Sequence, residues 1–152
     1  MSFVKSSIRH IGLVVEDLES SKDFWINCIG LSVLKEGLES GKFLDNMMAL
    51  NNVEVETCKL IDENGMVLEL LFFHSHKYKS RDKEENLIVY KKGFTHIALE
   101  TTNIDLLIKN LEQYNCKPLN DPMKSPDGLV RVTYSVGPEN ILLELVELQI
   151  KN

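Results

Sequence analysis

Two carboxylates set inside apolar runs constrain this chain more than any other feature. Residues 67–73 read Val-Leu-Glu-Leu-Leu-Phe-Phe, and residues 141–148 read Ile-Leu-Leu-Glu-Leu-Val-Glu-Leu. Turn residues precede both, Asp62-Glu63-Asn64-Gly65 and Gly137-Pro138-Glu139-Asn140, so each run reads as a β-strand. Side chains alternate along a strand, which puts Glu69 on a face with Val67 and Leu71, and Glu144 on a face with Leu142 and Val146. An unpaired carboxylate buried there would cost several kcal/mol, so each is expected to be protonated, ion-paired or bound to a metal. Two histidines accompany them, His10 in Ile8-Arg9-His10-Ile11-Gly12-Leu13 and His96 in Phe94-Thr95-His96-Ile97-Ala98-Leu99. The chain therefore carries the order His–Glu twice.

The elements around these residues repeat as well. A strand over 8–15 leads to a helix that starts on the cap Asp17 and runs to about residue 28, with Leu18, Ser21, Phe24, Trp25 and Cys28 on one face. Gly30 ends it, a strand over 31–38 follows, and residues 39–52 fit a helical turn, a strand or a loop. A strand over 53–62 then turns into the Glu69 strand. Residues 75–92 are polar and locally basic and read as a linker. Beyond it come the His96 strand, a helix capped by Asn103 over about 104–114, a short edge strand at Lys117-Pro118-Leu119, a turn at Ser125-Pro126-Asp127-Gly128, a strand over 129–136 and the Glu144 strand. From His10 to Glu69 is 59 positions and from His96 to Glu144 is 48, an excess of 11 that an insertion within 39–52 would absorb. The expected fold class is α+β, two tandem βαβββ modules whose mostly antiparallel sheets cup around a site. The 152 residues form one domain, with module one over about 6–74 and module two over about 93–150.

Charge and cysteine usage narrow the partners. A formal charge of −6 argues against nucleic acid. Cys28, Cys58 and Cys116 are odd in number and widely spaced, which reads as reduced thiols. No apolar run is long enough for a membrane span, and the first residues lack the apolar stretch of a signal peptide, so a cytoplasmic protein without membrane contact is expected. Phe24, Trp25, Met47 and Met48 read as core or dimer contacts, and Cys28 as packing rather than a nucleophile. His74-Ser75-His76 has ligand chemistry but lies where the strand meets the linker.

Two imidazoles and two carboxylates suit one divalent ion of mixed nitrogen and oxygen preference, such as zinc, nickel, cobalt, manganese or iron(II). Such an ion would stabilise an enolate or enediolate as a Lewis acid while a carboxylate moved the proton.

The stretch His10-Ile11-x-Leu13-x-Val15-x-Asp17-Leu18, with Phe24-Trp25 and Ile29-Gly30-Leu31 after it, closely resembles the opening of the vicinal oxygen chelate superfamily. His96-Ile97-Ala98-Leu99 and Leu143-Glu144-Leu145-Val146-Glu147 resemble its other ligand strands. The resemblance covers nearly the whole chain and implies paired βαβββ modules around one metal. Carried over from the glyoxalase I type, it implies His10, Glu69, His96 and Glu144 as metal ligands and Glu144 or Glu69 as the proton-moving group. The implied activity is that of a lactoylglutathione lyase-like lyase or isomerase. Acyl-CoA epimerisation of the methylmalonyl-CoA epimerase type is one alternative, and metal-free ligand binding of the resistance type another. The implied partner is a small thiol adduct or acyl-CoA, and a homodimer is expected. Val14 and Phe73 stand where glutathione-using members would carry an arginine and an asparagine.

Overall fold

The computed structural model describes residues 6–77, 89–90 and 92–149. The chain divides into two compact units, residues 1–79 and residues 80–152. The linker expected over 75–92 falls largely outside the described residues.

In the first unit the strands are β1 (Ile11–Val14), β2 (Ser32–Ser40), β3 (Glu54–Ile61) and β4 (Val67–Phe73), with helices α1 (Leu18–Asp23) and α2 (Lys42–Met48) between them. The sheet order is β1-β4-β3-β2, with β1 parallel to β4 and the other pairs antiparallel. β1 is shorter than the expected strand over 8–15, and Ile8 stands exposed ahead of it. Asp17 caps α1 as its position suggests, its carboxylate accepting the Ser20 N–H at 2.9 Å.

The expected single helix changes pitch at residue 24. Phe24–Cys28 is a π-helical turn in which the Ile29 N–H reaches the Phe24 carbonyl at 3.2 Å. The wider turn seats two consecutive large rings in the core, Phe24 and Trp25, edge to face at 5.2 Å and both 1% exposed. Gly30 then leaves the helix at φ 96°, a conformation that glycine adopts without strain.

Residues 39–52 resolve into the end of β2 and then α2, which Ala49 closes at φ 55°. Leu44, Val53 and Val55 form a buried cluster with Met48, Leu71 and Phe73 packed on it. Met48 is thus a packing residue, whereas Met47 points outward.

The second unit repeats the plan. Its strands are β5 (His96–Thr101), β6 (Lys117–Pro118), β7 (Met123–Lys124), β8 (Val130–Val136) and β9 (Leu142–Leu148), with α3 (Ile104–Glu112) after β5. The order β5-β9-β8-β6, with β5 parallel to β9, matches the first sheet strand for strand, and β7 pairs with β8 in addition. Asn103 caps α3 by accepting the Leu106 N–H at 2.9 Å. α3 ends before the expected residue 114, and Asn115 turns the chain at φ 58°. The expected turn at 125–128 closes with the Gly128 N–H on the Ser125 carbonyl at 2.9 Å.

Each helix covers one face of its own sheet. α1 packs against β4 on the side of Leu68 and Leu70, and Lys22 of α1 ion-pairs with Glu36 of β2 there. α3 packs against β9 on the side of Leu143 and Leu145. On that side Glu147 accepts the Ile104 N–H at 3.1 Å and ion-pairs with Arg131, which also holds Asp105. Leu145 is fully buried, so Leu145→Ala is expected to lower unfolding free energy by about 2–5 kcal/mol through lost apolar burial and the cavity left behind. Urea unfolding measures it, and a loss under about 1 kcal/mol would mean that β9 is not at the centre of this core. No described helix is long and apolar enough to cross a membrane.

Candidate functional site

The alternation of side chains leaves His10 and Glu69 together on the face of the first sheet opposite α1, and His96 and Glu144 together on the face of the second sheet opposite α3. His10 lies one residue ahead of β1, and its Nε2 is 2.9 Å from Oε2 of Glu69. His96 opens β5, and its Nε2 is 3.1 Å from Oε2 of Glu144. The pairing is the same in both units: the residue two after each histidine, Gly12 or Ala98, lies beside the glutamate in a parallel pair of strands. The sequence repeat is therefore also a repeat of geometry.

The two pairs differ in their surroundings. Lys59 lies directly opposite Glu69 on β3, and its Nζ is 2.5 Å from Glu69 Oε1. Tyr134 lies directly opposite Glu144 on β8, with its ring edge to face with His96 at 5.4 Å. Burial foremost, and the Glu144 charge after it, push the Tyr134 phenol above its ordinary pKa. It is a neutral hydrogen-bond donor at physiological pH. Thr95 Oγ1 is 2.8 Å from His96 Nδ1 and orients the ring so that Nε2 faces Glu144. Glu69 is the buried carboxylate of the two, its side chain 11% exposed against 26% for Glu144. The expectation of burial thus holds fully for Glu69 and in part for Glu144.

The sequence alone does not single out Lys59, Tyr134 or Thr95. A signal for the first two exists, since each stands ten positions before its glutamate. His74 joins neither pair: it lies on the α1 side of the sheet, 3.2 Å from Glu56 and edge to face with Phe72. His76 Nδ1 is engaged by Ser75 Oγ at 2.7 Å. Burial pushes the Cys28 and Cys58 thiols up to about 11, which leaves both un-ionised and poor nucleophiles at neutral pH. Val14 is an exposed apolar side chain on the His10 face, and Phe73 packs on the cluster beneath α2.

Each unit thus presents one imidazole nitrogen and one carboxylate, donor types that a divalent ion of intermediate softness accepts. Among the described residues no group of three or more potential ligands comes together, and each pair by itself offers two donors.

The profile of the Glyoxalase/Bleomycin resistance protein/Dioxygenase superfamily matches residues 9–134. A search of curated proteins finds no match. Among solved structures, a glyoxalase family protein from Bacillus cereus is similar over 97% of this chain and 99% of its own, with 20% identity and a TM-score of 0.85. The fosfomycin resistance protein FosX from Listeria monocytogenes, complexed with Mn(II) and sulfate, is similar over 97% of this chain and 96% of its own, with 15% identity and a TM-score of 0.58. A glyoxalase I mutant from Zea mays is similar over 91% of this chain but 44% of its own, with 16% identity and a TM-score of 0.61. At these identities the likeness is one of fold. The profile, which spans both His-strand openings, carries the assignment: this chain belongs to the glyoxalase/bleomycin resistance protein/dioxygenase superfamily.

Proposed function

We propose that this protein is a metal-dependent lyase or isomerase of the glyoxalase type, moving a proton on the carbon next to a carbonyl. The observation that carries the reading is the duplicated His–Glu pair, held at one register in both sheets. His10, Glu69, His96 and Glu144 would together hold one divalent ion, with the two pairs drawn from one chain or from two copies in a homodimer. Zinc, nickel, cobalt and manganese fit two imidazoles and two carboxylates. The bound ion would supply Lewis-acid stabilisation of the oxyanion that develops as the proton leaves.

The chain's own residues divide the remaining work unequally. Both oxygens of Glu69 are engaged, one by Lys59 and one by His10, so it is suited to stay in place. Glu144 is more exposed and faces a neutral tyrosine in place of an ammonium. It is the better base: it takes the proton from the carbon beside the carbonyl and returns it to the neighbouring carbon, whereas epimerisation of one carbon would need a second acid on the opposite face of the enolate. Tyr134 lies opposite Glu144 across β8 and β9, and its hydroxyl stays protonated and available as a donor.

Val14 and Phe73 favour a second reading of the substrate. Both are apolar where polar contacts to glutathione would be needed, which supports an acyl-CoA thioester undergoing epimerisation. A metal-free binding protein is the third reading, and a twice-built His–Glu pair gives it little support. Incubating the metal-loaded protein in heavy water with glutathione hemithioacetals and with acyl-CoA epimers separates the three. Deuterium entering the carbon next to the carbonyl is expected with one class. No exchange with any member would favour the binding protein.

A further inference from the structure

We propose that Lys59 is a built-in counter-ion that competes with the divalent metal for Glu69, lowering metal affinity while keeping the first half of the site intact without metal. This rests on the reading above that Glu69 is a ligand. The geometry is specific. Lys59 is the residue directly opposite Glu69 across β3 and β4, so the strand pairing itself delivers its ammonium to Oε1 while His10 takes Oε2. The side chains are 25% and 11% exposed, so water and salt screen the pair weakly. In the second unit the equivalent position is filled by Tyr134, which carries no charge.

Two consequences follow from one charge. A metal ion binding Glu69 must share or displace the Lys59 contact, and it also meets a like charge close by. Both effects weaken binding. Without metal, the same ammonium compensates a carboxylate that would otherwise be buried with only a histidine beside it. The two halves of the site are then unequal: one carries its own cation, and the other depends on the metal.

The test uses Mn(II) alone as the probe, titrated by calorimetry into the full chain after chelator treatment and dialysis. Parent, Lys59→Met, Lys59→Gln and Lys59→Arg are compared, and each protein is melted with and without Mn(II). Lys59→Met is expected to bind Mn(II) about tenfold more tightly than the parent, or roughly 1.4 kcal/mol. Lys59→Gln should follow it if the methionine variant folds poorly, and Lys59→Arg should stay near the parent. Without metal the neutral variants should melt below the parent, and Mn(II) should close that gap. Equal or weaker binding in the neutral variants would overturn the inference while leaving the metal reading standing. If none of the four proteins, parent included, binds Mn(II), both fall together.

Discussion

Replacing His96 with alanine is expected to weaken divalent metal binding by about 100-fold or more, because it deletes one of two nitrogen donors whose partners are already positioned. The fold should survive. The His96 side chain is 32% exposed, so its truncation opens no buried cavity, and the β5–β9 pairing depends on backbone hydrogen bonds. Stability should change in a way that reports the lost metal. Chelation should lower the melting temperature of the parent, because ligands that converge only in the folded state make metal binding a contribution to folding. In His96→Ala that sensitivity to chelator should largely vanish. Metal titration and melting curves on the two proteins measure it. Parent-like affinity in the variant would remove His96 from the site.

The second large effect concerns chemistry. Glu144→Gln keeps size and shape but removes the base, so turnover and deuterium exchange at the substrate carbon should fall by about 100- to 10,000-fold. Metal binding should weaken less than turnover does, since the amide oxygen still offers a donor. Glu69→Gln should behave differently. It leaves the Lys59 ammonium without its carboxylate, so loss of stability should accompany loss of metal. Exchange followed by NMR in heavy water, beside a thermal melt of each variant, separates the roles. Equal exchange rates in the parent and Glu144→Gln would exclude Glu144 as the base.

Much of this arrangement is legible in the sequence because strand alternation and turn chemistry are local. A glutamate between leucines with a Gly-Pro or Asn-Gly turn before it announces its strand, and Asp17 and Asn103 announce their helices. The excess of 11 residues in the first repeat also points to where it lies, and α2 occupies that stretch. The π-helical turn is less legible, since the pattern of Leu18, Ser21, Phe24, Trp25 and Cys28 fits an ordinary helix nearly as well. α2 itself was ambiguous because Phe43, Leu44, Met47 and Met48 suit a helix or a strand, and only packing on Val53 and Val55 decides. Lys59, Tyr134 and Thr95 are hidden for another reason. What makes Lys59 and Tyr134 matter is cross-strand register, a non-local property that a linear reading shows only as an offset repeated between the two halves.

The proposed function needs His10, Glu69, His96 and Glu144 to hold one ion together. The stoichiometry of Mn(II) binding tests it most directly, measured on the parent and on His10→Ala and His96→Ala separately. About one ion per chain is expected in the parent and almost none in either variant, because each His–Glu pair alone offers two donors. Two ions per chain in the parent, falling to one in each variant, would show that each pair binds on its own and would overturn the single shared ion.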